Sequence, residues 1–145
     1  MMFYRKTDGA KKSAKKSKYN NKKIVNEFGT WDSKKEFKRW LVLKEAEAQG
    51  MITDLQRQVK FELIPAVREK YIKHLKTKDK ECERTLQLPI TYTCDFQYTK
   101  NGETIVEDVK PSPKMLPKDF VLKEKMMFAL KGIKIKRVFS DTELV

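Results

Sequence analysis

Residues 90–110 read ITYTCDFQYTKNGETIVEDVK, and this stretch predicts a β-hairpin. Two runs rich in β-branched and aromatic residues flank the Asn-Gly dipeptide at positions 101–102. A two-residue turn of this kind needs positive φ at both positions, which Asn and Gly accept readily. Counting back from the turn along both strands places Asp95 directly opposite Asp108. The sequence therefore predicts two carboxylates that meet on one face of the hairpin.

The same alternation assigns the neighbours of Asp108 to faces. Side chains point to opposite sides in turn, so Lys110 shares the face of Asp108, whereas Glu107 and Val109 point to the other face. Opposed residues at a non-hydrogen-bonded pair have Cα atoms about 4.5 Å apart, and like charges there repel each other. A cation relieves that repulsion. From the residues alone, the pattern indicates either a cation-binding site or an ordinary surface ion-pair cluster.

Composition and charge indicate the class of partner. The chain of 145 residues has enough length for one domain with a core, 37% of its residues are charged, and its formal net charge is +13. Such a charge attracts polyanions, so nucleic acid is the leading expected partner and an anionic membrane surface the alternative. No apolar run approaches the roughly 20 residues of a membrane span. Neither Cys82 nor Cys94 has a zinc-site spacing, and we expect a cytoplasmic protein.

The first 23 residues carry nine basic side chains against one acid, Asp8. Dense like charge with few apolar residues predicts a disordered basic arm, because such a segment cannot bury enough apolar surface to fold. The arm is interpreted as a phosphate-contacting segment, with a solubilising tail as the alternative. The predicted nucleic-acid-binding residues are Arg5, Lys11, Lys12, Lys15, Lys16, Lys18, Lys22 and Lys23.

Two helices are expected in the domain at residues 24–139. Ser33 and Glu36 match a capping box and Gly50 ends the first helix, whose predicted buried stripe comprises Phe37, Trp40, Leu41, Lys44 and Ala48. The second helix runs from Pro117 to Gly132. The capping box by itself explains the presence of Glu36, and a functional role for this residue is the alternative explanation.

The remaining segments are predicted as strands, a connector and an insertion. Residues 58–64 and 133–139 alternate as strands, and residues 52–55 form a connector. Residues 66–88 are interpreted as a charged, partly helical insertion, and residues 140–145 as a frayed tail. Together with the hairpin, the element order is helix, three strands, helix, strand. This order predicts an α/β fold with a mixed sheet flanked by helices.

That order, with a helix-borne glutamate ahead of a D…(D/E)xK pattern on a hairpin, resembles the PD-(D/E)XK nuclease superfamily and its restriction-endonuclease-like αβββαβ core. The chain looks closest to a small phage-borne family of uncharacterised proteins in that superfamily. It is also similar to the catalytic domains of TnsA-type endonucleases and Holliday-junction resolvases. The resemblance spans about residues 18–138 and rests on the segments 32–36, 58–63, 92–96, 106–110 and 132–135.

The resemblance implies a metal-dependent DNA endonuclease that acts in phage recombination or DNA processing, in a bacterial or phage-infected host cell. It makes Asp95, Asp108 and Glu36 the metal ligands and Lys110 the residue that orients the attacking water. Oxygen ligands suit Mg²⁺ or Mn²⁺. By analogy with resolvases it also implies a homodimer. Cys94 departs from the proline of the motif, and Asp108 replaces the more frequent glutamate. The alternative is a non-catalytic nucleic-acid-binding protein that retains the nuclease fold.

Overall fold

A computed structural model describes residues 22–145 as an α/β fold with a mixed sheet and two helices. In the central sheet the strands lie in the order β10 (Lys136–Val138), β9 (Glu103–Val109), β8 (Phe96–Lys100), β3 (Thr53–Arg57), and β10 runs parallel to β9 while the other pairs are antiparallel. The predicted fold class is therefore confirmed at this level. The elements in chain order are β1 (Ile24–Asn26), β2 (Gly29–Trp31), α1 (Lys34–Ala48), β3 (Thr53–Arg57), β4 (Lys60–Ile64), β5 (Val67–His74), β6 (Asp79–Gln87), β7 (Ile90–Thr93), β8 (Phe96–Lys100), β9 (Glu103–Val109), α2 (Lys118–Lys131) and β10 (Lys136–Val138).

The predicted hairpin is present as β8 and β9. The register is confirmed from Lys100–Glu103 beside the turn to Phe96–Glu107 at the far end. Both turn residues have positive φ, 51° and 77°, as a two-residue turn requires. Strand β10 follows α2 and lies parallel to β9, as a mixed sheet requires. Strand β10 is shorter than the strand predicted at 133–139.

The two helices cover opposite faces of the sheet, and each builds its own hydrophobic cluster. One cluster contains Leu43 of α1 with Phe96 and Tyr98 of β8. The other contains Phe120 and Met127 of α2 with residues that include Val106 of β9 and Ile135. Within the described residues, no helix is long and apolar enough to cross a membrane.

Helix α1 begins after Ser33 and ends before Gly50 (φ +74°), as predicted, but its buried stripe differs from the prediction. The buried residues are Glu36, Arg39, Leu43 and Ala46. Phe37 and Trp40 are half-buried at the margin of the core, whereas Leu41, Lys44 and Ala48 are exposed. The prediction missed the buried face because two of its four positions carry charged side chains, which an apolar periodicity does not detect.

Two expectations about the strands are wrong. The connector at 52–55 belongs largely to β3, which pairs with β8 through a register shift. That irregularity, with Asp54 at φ +54°, removes the alternation by which strands are recognised. Residues 66–88 are not partly helical, because they form the antiparallel hairpin β5–β6. Its strands are held by cross-strand charge pairs, and its turn at 75–78 contains neither Gly nor Asn.

The tail at 140–145 was expected to be frayed, and instead it contacts the domain. The backbone carbonyl of Glu143 accepts a hydrogen bond from Arg39 Nη1 at 2.5 Å, and the carbonyl of Val145 accepts one from Lys100. Helix α2 agrees with the prediction, with Pro117 before its first residue and Gly132 (φ +67°) after its last.

Candidate functional site

A break in the ladder between β7 and β8 positions Asp95. The predicted strand at 90–99 is interrupted at Cys94–Asp95, opposite Gln58, whose φ is +49°. The backbone still pairs across the break, because Gln58 N donates to Asp95 O at 3.0 Å. The Asp95 carboxylate turns toward β9, where Oδ2 accepts a hydrogen bond from Val109 N at 2.7 Å. Irregularities of this kind re-aim single side chains and are frequent beside functional sites.

Asp108, near the end of β9, lies at the centre of the site and is only 3% exposed. Its Oδ2 accepts a hydrogen bond from the Tyr92 hydroxyl at 2.6 Å. Its Oδ1 contacts the Lys110 ammonium as an ion pair but accepts no hydrogen bond. Lys110 Nζ also lies 4.1 Å from the ring centroid of Phe120. The structure therefore joins Asp108 and Lys110 on the face that the alternation predicted.

Glu36 reaches the same region from the first turn of α1. Its backbone N donates to Ser33 Oγ at 3.1 Å, and its Oε2 accepts from Asp32 N at 3.2 Å, one residue earlier than in a standard capping box. Its Oε1 is buried and has no hydrogen-bond partner. Glu36 thus caps the helix and still presents one carboxylate oxygen without a donor. The capping explanation and the functional one are both compatible with this geometry.

Burial and nearby negative charge disfavour the ionised forms of Asp95 and Glu36. Burial raises the pKa of Asp95 well above its ordinary value, the charges of Asp108 and Glu36 raise it further, and the Val109 N–H and Lys110 only partly oppose them. Burial likewise raises the pKa of Glu36, against the Asp32 hydrogen bond. A carboxyl group whose pKa is raised in this way is stabilised by added positive charge. The site therefore has less positive charge than its carboxylates require.

Of the three acids, Asp108 lines a cleft of about 340 Å³ between the sheet and the start of α2, together with Lys110, whereas Asp95 and Glu36 do not line it. Burial raises the pKa of Tyr92 far above its ordinary value, so this hydroxyl remains protonated and continues to donate to Asp108. A larger groove of about 970 Å³ lies between α2 and β10, but none of the three acids lines it. We place the candidate site in the smaller cleft, which is lined by Thr91, Tyr92, Thr93, Asp108, Lys110, Pro117, Asp119, Phe120 and Lys123.

The donors suit a divalent cation only in part. Among residues 22–145, no three His, Cys, Asp or Glu side chains are grouped closely enough to hold a metal ion. Two buried carboxylate oxygens, Glu36 Oε1 and Asp108 Oδ1, nevertheless accept no hydrogen bond. Carboxylate oxygens are the ligands that Mg²⁺ and Mn²⁺ prefer. Asp108 Oδ1 is contacted by the Lys110 ammonium, which a cation at this oxygen would have to displace.

The opposite face of β9 carries a buried ionic network that sequence reasoning did not identify. Glu107 is fully buried and accepts from Arg39 Nε at 2.9 Å, from Arg39 Nη2 at 2.7 Å and from the Tyr98 hydroxyl at 2.6 Å. Burial by itself would raise the pKa of Glu107, but these hydrogen bonds outweigh it and hold the pKa below its ordinary value. Alternation placed Glu107 on this face, but no sequence pattern identified its buried partner.

Arg57 of β3 is a second residue that the sequence did not suggest. Its guanidinium lies 3.4 Å from the ring centroid of Trp31 and donates to the carbonyl of Thr30 at 3.1 Å. Its positive charge opposes part of the rise in the pKa of Glu36, the acid in the first turn of α1. Tyr92 is the third such residue. It precedes the break in the ladder, so counting from the turn does not bring it to Asp108.

The predicted nucleic-acid-binding arm lies mostly outside the described residues, since Arg5, Lys11, Lys12, Lys15, Lys16 and Lys18 precede residue 22. Lys22 and Lys23 are described and exposed. Lys23 Nζ lies 3.8 Å from Asp32 Oδ1, an exposed ion pair of little energetic weight.

Comparison with known proteins identifies a family without assigning an activity. No curated protein and no solved structure matches the chain. A protein-family model matches residues 16–142, which is most of the chain. The chain therefore belongs to the family described as "Protein of unknown function (DUF1064)".

Proposed function

We propose that this protein is a divalent-metal-dependent endodeoxyribonuclease of the PD-(D/E)XK type. The observation that carries the proposal is that Asp108 and Lys110 form an ion pair at one cleft while burial and the nearby charge of Asp108 raise the pKa of Asp95. A site whose acids resist ionisation is stabilised when a cation binds. An ordinary surface ion-pair cluster does not account for an Asp108 side chain that is almost completely buried.

The element order supports the same proposal. Apart from the hairpin β1–β2 and the segment β4–β7, the order is α1, β3, β8, β9, α2, β10. With those six strands left aside, this order is compatible with the αβββαβ order that the resemblance implies. The two acids and the lysine lie at the end of the central hairpin, and Glu36 lies on the helix that precedes it, as the superfamily pattern requires. Fold alone does not establish an activity, so the site carries the argument.

Each residue has a proposed role. Asp95 and Asp108 would hold Mg²⁺ or Mn²⁺, Glu36 would complete the acidic group, and Lys110 would orient the water that attacks the phosphodiester. When bound, such a cation would lower the pKa of water and offset the charge that develops on the phosphate. Tyr92 positions Asp108 through its hydrogen bond to Oδ2. The high net positive charge of the chain favours DNA as the substrate. We further propose action in phage recombination or DNA processing, with a homodimer as the form that resolves branched DNA.

A non-catalytic nucleic-acid-binding protein with the same fold is the second candidate, and two observations favour it. Lys110 neutralises Asp108 directly, and no three potential metal ligands are grouped within residues 22–145. A protein of this kind has no use for a metal ion. It binds DNA with the same affinity in the presence and absence of Mn²⁺.

Calorimetric titration with Mn²⁺, combined with cleavage assays, separates the two candidates. Plasmid and four-way-junction DNA are incubated with the protein and with Mg²⁺, Mn²⁺ or EDTA. The nuclease proposal expects Mn²⁺ uptake and metal-dependent cleavage, both lost in Asp108→Asn and both retained in Asp54→Asn. Asp54 is a matched control because it is an exposed aspartate on β3 whose φ of +54° suits Asn. DNA binding without cleavage in any metal, and without Mn²⁺ uptake, would refute the proposal.

A further inference from the structure

The hairpin β5–β6 is an arm that the two hydrophobic clusters do not include. All its residues are exposed except Cys82, which is half-buried, and none belongs to either cluster. The arm lies between Pro65, two residues before β5, and Pro89, two residues after β6. Proline has no backbone N–H, so a backbone donor is missing on each side of the base of the arm. At about 3.3 Å per residue, its eight-residue strand β5 is about 26 Å long. This arm is long, thin and almost wholly in contact with solvent.

The acids of the arm are all paired, and its tip is left with positive charge. Each of its four acids pairs with a basic side chain, in the pairs Glu69–Arg84, Asp79–His74, Glu81–Lys70 and Glu83–Arg68. Four lysines remain, and none of them forms an ion pair with any residue in the described part of the chain. These tip lysines are Lys73, Lys76, Lys78 and Lys80.

The arrangement of the tip lysines points to an external anion. Lys73 lies directly opposite Lys80 in the strand register, a placement in which like charges repel. The other two tip lysines lie in and beside the turn. Even with Asp79 counted, the four lysines leave a net positive charge at the end of a solvated ribbon, which lowers the stability of the isolated hairpin and favours contact with a polyanion. The charge pairs nearer the base, and Arg84 stacked 5.4 Å from the ring centroid of Tyr71, hold the two strands together.

We propose that the tip of the arm binds in the major groove of duplex DNA while the cleft beside Asp108 holds the phosphodiester. This inference rests on the proposed function for its choice of DNA. The major groove of B-form DNA is about 12 Å wide and accepts a two-stranded β-ribbon, with phosphates along both walls. Lysines in the turn and on both strands are placed to contact both walls. Phosphate contacts of this kind position a protein on DNA and carry little sequence information.

The test measures binding of the full-length chain to a labelled 20-base-pair DNA duplex in EDTA, so that cleavage does not interfere. In the tip variant the four tip lysines become glutamine. The matched control removes four exposed lysines of α1 and α2 that form no ion pair in the described residues, which are Lys34, Lys38, Lys125 and Lys131. Each lost phosphate contact reduces the slope of log K against log salt by about 0.9. We expect a slope reduced by about three to four and an affinity at least about tenfold weaker than that of the control variant.

Duplex RNA of the same sequence tests the placement in the groove, because the major groove of A-form RNA is too deep and narrow for the arm. We expect the tip replacements to weaken RNA binding far less than DNA binding. Equal losses on RNA and DNA, or equal losses in the tip and control variants, would overturn the inference. If the protein cleaves DNA but the tip variant binds DNA as well as the control variant does, the DNA-binding role of the arm is wrong and the nuclease proposal stands. If the protein never cleaves DNA but the tip variant selectively loses DNA affinity, the nuclease proposal is wrong and the role of the arm stands.

Discussion

Two neighbouring acids on β9, Glu107 and Asp108, should respond very differently to the loss of their charge. Glu107→Gln leaves the Arg39 guanidinium, which is fully buried, without its carboxylate partner. Breaking a buried pair by removing one partner typically costs about 3–5 kcal/mol, because the remaining charge is buried and uncompensated. Lys136 also loses a contact of 3.3 Å with Glu107, but it is partly exposed and water can replace that contact. We expect the free energy of unfolding to fall by about 3–5 kcal/mol.

Asp108→Asn should lower the free energy of unfolding by much less than Glu107→Gln does, because a second effect offsets the lost ion pair. The variant loses the ion pair with Lys110, and it also removes the charge that raises the pKa of Asp95. These two effects oppose each other. The asparagine oxygen still accepts the hydrogen bond from Tyr92. Urea unfolding at pH 7, followed by circular dichroism, measures both variants against the wild type.

The pH dependence of the Glu107 variant is a second check. The pKa of Glu107 is held below its ordinary value of 4.5, so the pair with Arg39 adds stability above that pH and loses it as the pH falls through the folded-state pKa. The difference between the wild type and Glu107→Gln should therefore shrink below about pH 4.5. Replacing both partners with apolar residues, Arg39→Met with Glu107→Leu, should recover most of the lost stability. A Glu107→Gln variant as stable as Asp108→Asn would refute the reasoning.

Three further predictions concern the site. A raised folded-state pKa makes ionisation of Asp95 unfavourable above its ordinary value of 3.8, so Asp95→Asn should be more stable than the wild type by about 1 kcal/mol or more at pH 7. The gain should vanish below about pH 4 in a series of urea titrations, and a gain independent of pH would show that the ionisation of Asp95 is not its cause. Lys110→Ala should retain Mn²⁺ uptake by calorimetry and lose about 10²–10⁴-fold in cleavage rate, whereas loss of uptake would make Lys110 part of the binding site. Tyr92→Phe leaves a buried Asp108 oxygen without its donor and should cost about 1–3 kcal/mol in thermal unfolding, and no loss would show that water replaces the hydroxyl.

The predictions that held depend on local chemistry. The turn at 101–102 sets the register of β8 against β9, because positive φ at both positions leaves one way to pair the strands. The limits of α1 and α2 follow from Ser33, Gly50, Pro117 and Gly132, which act on the backbone within one turn of the helix. The placement of Lys110 with Asp108, and of Glu107 on the other face, follows from alternation along a single strand.

The features that only the tertiary structure determined depend on partners distant in the chain. Arg39 is buried because Glu107, 68 residues later, supplies its carboxylate, so the buried face of α1 includes charges that an apolar pattern does not detect. The break that turns Asp95 toward β9 lies opposite Gln58, and its position depends on pairing between β3–β4 and β7–β8. The arm at 67–87 forms strands through cross-strand charge pairs, which have no distinct signature along either strand. The sequence alone determined the two helices and the turn of the central hairpin, and long-range contacts decided which charges are buried together.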